Sequence, residues 1–262
     1  MMAGRTRLNS VWPVSLAAFG SLLGWLQPMP TIPAGHDGIC RTETASGVEY
    51  IVCDVPLDRY DVSLRAAAAD GRPYETFERA SASVEGARVR LIMNAGMYHE
   101  DRRPVGLAIQ DGREISPLVR GTGSGNYSLQ PNGVFLVEDG KARVMETGAY
   151  VAGDHNPDLA TQSGPMLLID GELHPRFIDG SDSRYVRNGV CASDDGRTVR
   201  LVLSRQAVNF WDFGLFFRDQ LGCRDALFFD GQVSSLYYPD ANIAYRRDRL
   251  GPMLVVTDRR GD

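Results

Sequence analysis

Four short elements of this chain set polar side chains beside glycine where an apolar run begins or ends. They are Asn94-Ala95-Gly96 after residues 89–93, Gln162-Ser163-Gly164-Pro165, Arg187-Asn188-Gly189, and Asp230-Gly231 after residues 226–229. Glycine lets the backbone come close to a ligand and aim its peptide amides there. One such element is an ordinary turn; four of them, all at strand ends or entries, are less easily dismissed as turns. Other chemistry finds less support. The run Gly121-Thr122-Gly123-Ser124-Gly125 lacks the Gly-Lys-Ser/Thr ending and the following helix of a phosphate cradle, and reads as a loop. There is no Gly-x-Ser-x-Gly elbow and no His-Glu-x-x-His pair. His36, His99, His155 and His174 are scattered, and His99-Glu100-Asp101 reads as a solvated turn rather than a metal site.

The elements that must position these residues are mostly strands. Asp-Gly pairs at 111–112, 139–140, 170–171 and 195–196 stand beside apolar runs. Asp-Gly between strands is a strong hairpin signal, because a type I′ turn needs positive φ at both central residues. Helices are few. One is predicted over 76–84. A clearer one covers 209–221, where Phe210, Phe213, Phe217 and Leu221 form one apolar stripe and Gly222 provides the stop. Residues 226–229 read as a buried strand and 253–257 as the last one. No linker or repeat divides residues 40–258. The expectation is one α+β domain with a large mixed, mostly antiparallel sheet and few helices.

Net charge is −5 and no Lys/Arg run exceeds two residues, which argues against a nucleic-acid partner. Arg5 and Arg7 are followed by an uncharged stretch from 8 to 35, apolar over 11–26. A basic start followed by an apolar stretch of that size is the pattern of a secretory signal, and it is short of the about 20 residues a spanning helix needs. Residues 1–35 are therefore read as a signal peptide or N-terminal anchor and 36–262 as the functional domain, exported to the periplasm or the extracellular space. A membrane is a partner only through the N-terminal segment if it stays uncleaved. The four cysteines have no Cys-x-x-Cys spacing, so disulfides are the expectation. Cys40 and Cys53 straddle a short hairpin and can pair locally, leaving Cys191 with Cys223, although four cysteines allow three connectivities.

At these elements the sequence resembles the bacterial branch of the phosphodiester glycosidases. The matching blocks are Asn94-Ala95-Gly96-Met97-Tyr98, Pro104-Val105-Gly106-Leu107, Asn132-Gly133-Val134-Phe135, Ala160-Thr161-Gln162-Ser163-Gly164-Pro165, Arg187-Asn188-Gly189-Val190, and Ala226-Leu227-Phe228-Phe229-Asp230-Gly231 with Ser234-Ser235. They run in order within residues 88–256. Gln232 stands where one branch of the family usually carries a second glycine, a departure that bears on substrate more than on site. The resemblance implies hydrolysis between a sugar's anomeric carbon and a phosphate. A phosphodiester leaves readily, so a general acid matters less than in ordinary glycoside hydrolysis. Asp230 is then the base or nucleophile and Arg187 the phosphate holder. Asn94, Gly96, Gln162, Ser163, Gly164, Asn188, Gly231, Ser234 and Ser235 are the expected substrate contacts. The implied partner is a sugar phosphodiester or envelope glycoconjugate. No cofactor is called for, and a divalent ion beside the site stays open. Two other readings compete: an envelope glycan-binding protein without turnover, and a metal-assisted phosphodiesterase.

Overall fold

Side chains alternate across a strand, so one strand can serve two cores. The strand Val48–Pro56 does this: Ile51, Cys53 and Val55 enter one hydrophobic cluster, while Tyr50 and Val52 enter another. The strand Ala226–Asp230 repeats the pattern, with Leu227 and Phe229 on the first side and Ala226 and Phe228 on the second. Each fully buried large apolar side chain contributes about 1.5–3 kcal/mol. These two strands belong to the middle layer of the fold.

The structure is a computed structural model that describes residues 29–33, 35–121 and 125–259. The apolar segment 11–26, Ala34 and residues 122–124 of the glycine-rich run lie outside the described residues. A seven-stranded sheet runs in the spatial order Cys40–Ala45, Val48–Pro56, Thr198–Ser204, Asn188–Ala192, Ala226–Asp230, Met166–Ile169, Glu172–Leu173. A second sheet runs Ile243–Tyr245, Leu236–Tyr238, Val89–Asn94, Met253–Asp258, Tyr60–Arg65. The third runs Arg113–Ser116, Ala108–Gln110, Leu159–Ser163, Gly133–Glu138, Lys141–Glu146. The fold is α+β and the pairings between these strands are antiparallel. The strands divide among three sheets, since strongly twisted strands pack as layers more readily than as one very wide sheet.

Helix Phe210–Leu215 lies over the second cluster. Asn209 starts it by accepting the Asp212 amide at 2.7 Å, and a π turn, Phe216–Gln220, continues it to Gly222 at φ +62°. The π turn lets Phe216 and Phe217 both bury, a pair the single stripe did not anticipate. Helix Phe77–Ala82 begins where expected, with the Thr76 hydroxyl accepting the Arg79 amide. A further short helix, Thr147–Ala152, is absent from the sequence reading; it buries no residue and so shows no apolar stripe.

Three Asp-Gly turns have positive φ at both residues: 51° and 71° at 111–112, 51° and 68° at 139–140, 51° and 86° at 170–171. The fourth is a correction. At Asp195-Gly196 only the glycine is left-handed (72°), and its amide donates to Ser193 O at 2.8 Å. The loop there is longer than the two residues of a type I′ hairpin.

The disulfides are Cys40–Cys53 and Cys191–Cys223. The first staples two residues already opposite each other in register. The second ties the middle sheet to the chain just past the helix. Their sequence separations are 13 and 32. Loop-closure entropy then ranks them: replacing both cysteines of a pair by alanine should cost about 3 kcal/mol for the first and about 4 for the second. Denaturant melts of the two double variants check this order, and equal or inverted losses would contradict it.

Candidate active site

All four glycine-flanked elements converge where the three sheets meet, the fourth through Ser163. Asn188 and Asp230 are register partners on neighbouring strands, with an irregularity between Asn188 and Gly189. Asn94 ends a strand of the second sheet. Its carbonyl and Oδ1 accept from Asn188 Nδ2 at 2.9 and 3.1 Å, and Oδ1 also accepts the Ser235 amide at 2.8 Å. Ser234 Oγ lies 3.0 Å from Asp230 O, 2.9 Å from Val186 O and 3.3 Å from Asn188 Oδ1. Ser163, from the third sheet, donates to Phe229 O at 3.3 Å. Asn94, Ser163, Asn188, Ser234 and Ser235 are all buried. They bolt the sheets together under the turn 230–233, each engaged by the protein's own groups. Burial rewards polar groups that satisfy one another, and this network does so except at Asn94 Nδ2.

Gln162 turns elsewhere. Its Oε1 accepts the amides of Leu107 and Val119 at 3.1 and 3.0 Å, and its Nε2 donates to Val119 O and Thr147 Oγ1. It anchors a neighbouring loop. Gly96, at φ +70°, packs where a Cβ would meet Thr161 Oγ1 at 2.6 Å, and a Cβ at Gly164 would meet Asn132 Oδ1 at 1.7 Å. Both glycines serve close packing.

Asp230 and Gly231 do reach an opening. They line a cleft of about 400 Å³ with Gln232, Val233 and Phe228. The opposite wall is the short hairpin 97–105, closed by the Tyr98–Pro104 bridge, which brings Tyr98, Glu100 and Arg102. Asn126, Tyr127 and Asp248 complete it. Arg102 holds φ +70°, pairs with Asp248 at 3.4 Å and stands 5.5 Å from the Tyr98 ring centroid. Of this group the sequence reading singled out only Glu100, as part of a turn; Tyr98 sat unremarked inside the first matching block. His99, Glu100 and Asp101 do not converge on a common point: Asp101 is occupied by Arg103, through its amide at 3.1 Å and its Nε at 2.7 Å. Among the described residues no three His, Cys, Asp or Glu side chains gather as a metal-ligand set.

The Asp230 carboxylate is held on one oxygen. Oδ1 accepts the amides of Gln232 at 2.5 Å and Val233 at 2.7 Å. Burial pushes its pKa up, and those amides, the Gly231 amide and the Arg187 charge pull it partly back. Asp230 in turn adds to the burial that pushes the Tyr98 phenol up.

Arg187 is 1% exposed and sits behind this turn. Its Nε donates to Val208 O at 2.9 Å and its Nη2 to Ser183 O at 3.0 Å, while the guanidinium carbon lies 3.7 Å over the Phe210 ring. The expected fork is thus taken up by the protein itself. Only Nη1 is left without a partner, 3.4 Å from where a Cβ on Gly231 would stand. Burial lowers the Arg187 pKa to about 10, against the favourable pull of Tyr185 and Asp230. The guanidinium remains charged at neutral pH, directly behind the Asp230 turn. The site therefore couples a pinned carboxylate facing a cleft with a buried cation whose one free donor points at the same turn.

A family model described as phosphodiester glycosidase matches residues 87–257, and the chain belongs to that family. The Uncharacterized protein YigE of Escherichia coli (strain K12) is 33% identical over 234 residues, 89% of this chain and 90% of that one. Among solved structures, the catalytic domain of zebrafish N-acetylglucosamine-1-phosphodiester alpha-N-acetylglucosaminidase, auto-inhibited by its pro-peptide, superposes with a TM-score of 0.60 at 15% identity, covering 87% of this chain and 86% of that one. A hypothetical protein from Synechocystis gives 0.54 at 15% identity, covering 84% and 61%. Likenesses at this identity establish the common fold.

Proposed function

We propose that this chain is an exported hydrolase that cleaves a sugar from a phosphodiester at the anomeric carbon. Residues 36–262 are the catalytic domain and 1–35 the export signal or anchor. Two disulfides favour an oxidising compartment. The observation that carries the reading is Asp230: a partly desolvated carboxylate whose Oδ1 accepts two amides, on a residue that lines a cleft large enough for a sugar phosphate. In the proposed step Asp230 takes a proton from water. The water oxygen bonds to the anomeric carbon, the bond from that carbon to the phosphate oxygen breaks, and a phosphate monoester leaves with the electron pair. Arg187, through Nη1 and its field, favours the negative charge that gathers on the phosphate. Asn94, Asn188, Ser234 and Ser235 position the turn, and Gly231 leaves room for substrate to approach it. The zebrafish enzyme's name supplies the first sugar to try, an α-linked N-acetylglucosamine. Gln232 lines the cleft, so its side chain takes part in setting which sugar fits.

Hydrolysis of an α-N-acetylglucosaminyl phosphodiester in oxygen-labelled water tests the reading. Label in the sugar is the expected result. Label in the phosphate would mean P–O cleavage, and stoichiometric binding without product would mean a glycan-binding protein; either overturns it.

A further inference from the structure

The hairpin 97–105 carries a cation that the proposed step leaves unused. The charged side chains lining the cleft are Glu100, Arg102, Asp230 and Asp248, with His99 beside them. Among the described residues of that lining, Arg102 is the one arginine or lysine. Arg187 is not part of it; it lies buried behind the turn and reaches toward Gly231. An anion that enters the cleft therefore meets three carboxylates and a single guanidinium.

That guanidinium is only loosely engaged. Its Nη2 donates to Asp248 Oδ2 and Oδ1 at 3.4 and 3.5 Å, and its Nε and Nη1 have no partner among the described residues. Bonds between a guanidinium and an oxyanion normally close to about 2.7–2.9 Å. Nor does the pair hold the hairpin in place. The Tyr98 hydroxyl donates to Arg249 O at 3.2 Å, and the Tyr98 ring lies so close on Gly251 that no Cβ would fit there. Those contacts fasten the hairpin to residues 248–251 without help from the ion pair. Arg102 also holds φ +70°, a conformation that glycine takes freely and that a side chain makes unfavourable. A strained, half-engaged cation beside a carboxylate is poised for a ligand rather than for stability.

We infer that Arg102 is the residue that grips the substrate's phosphate, and that Asp248 is the counter-ion occupying its fork until the phosphate arrives. The assignment rests on the proposed sugar-phosphodiester reading. The phosphate oxygens accept a forked pair of bonds from the guanidinium, shorter and stronger than its long contact to Asp248. The Asp248 side chain, 47% exposed, turns back to water and keeps the Arg249 amide, which it accepts at 2.6 Å. Arg187 then acts on the charge from behind the turn, while Arg102 makes the direct contact.

The test compares Arg102→Gln and Asp248→Asn, by titration with inorganic phosphate and by the KM for an α-N-acetylglucosaminyl phosphodiester. Arg102→Gln should weaken phosphate affinity and raise KM at least about tenfold. Asp248→Asn should do the opposite, tightening phosphate about twofold to fivefold, because the competing carboxylate is gone. Both variants should melt within about 3 °C of wild type, since an exposed pair this long contributes little. Unchanged phosphate affinity and KM in Arg102→Gln would overturn the assignment. So would a parallel loss in both variants with a lowered melting temperature, the signature of a structural latch. Phosphate bound through Arg102 without turnover of the diester would sink the glycosidase and keep the anion seat; hydrolysis with wild-type KM in Arg102→Gln would sink the seat and keep the glycosidase.

Discussion

Asp230→Asn is expected to lower kcat by at least about 10²-fold while leaving the protein as stable as wild type, or more so. Asparagine keeps an Oδ1 in place, so the amides of Gln232 and Val233 retain their acceptor. What disappears is the charge, and with it the base or nucleophile. The stability side follows from linkage. Burial raises the folded-state pKa of Asp230 above its unfolded value. The folded protein therefore holds that proton more tightly, and the wild type loses stability as pH rises from the unfolded pKa through the folded one. The neutral carboxamide of the variant carries no such penalty. Thermal melts should show the variant's advantage at neutral pH, shrinking as pH falls below the unfolded value. Wild-type kcat should climb with pH through the raised Asp230 pKa, because the base acts when ionised. A folded Asp230→Asn protein with wild-type kcat would remove Asp230 from the mechanism.

Arg187→Lys should be damaging in both respects at once. The guanidinium reaches two carbonyls in different directions, Val208 O and Ser183 O, while lying flat over Phe210. An ammonium is a point charge that cannot reproduce the planar stack or both bonds. The expected cost is about 2–4 kcal/mol of stability from the lost charge-assisted hydrogen bonds. It should be accompanied by a drop in kcat/KM of at least about tenfold, since the free Nη1 arm is displaced from the turn. Urea denaturation and steady-state kinetics measure the two effects separately. Retention of both stability and kcat/KM in the lysine variant would show that the fork is dispensable.

Local features were the legible part of the sequence. Asp-Gly at three turns, the helix beginning at Asn209 and the local Cys40–Cys53 pair are set by neighbours in the chain and read correctly, and Cys191–Cys223 followed as the pair left over. The α+β class follows from them. The division into three sheets did not, because it depends on distant pairings such as Val48–Pro56 against Thr198–Ser204. The candidate site divides in the same way. Glycine beside a polar residue marks strand ends, but it cannot distinguish a side chain that faces a cleft from one that bolts two sheets beneath it. Asp230 is of the first kind, and Asn94, Asn188 and Ser234 are of the second. Arg102 and Asp248 meet across the cleft although 146 residues separate them, and neither stands beside a glycine motif.

The hairpin 97–105 keeps two sets of side chains apart by simple alternation, most of one parity toward the cleft and most of the other, Asp101 and Arg103 among them, toward a groove on its far side. Point substitutions at Asp101 or Arg103 thus change the far face without replacing a cleft residue. A one-residue insertion near the bridge has the opposite character. It would exchange the two faces in a single step, turning Tyr98 and Arg102 away from Asp230. Relatives should therefore vary freely in side chain on the far face of this hairpin and hardly at all in its length.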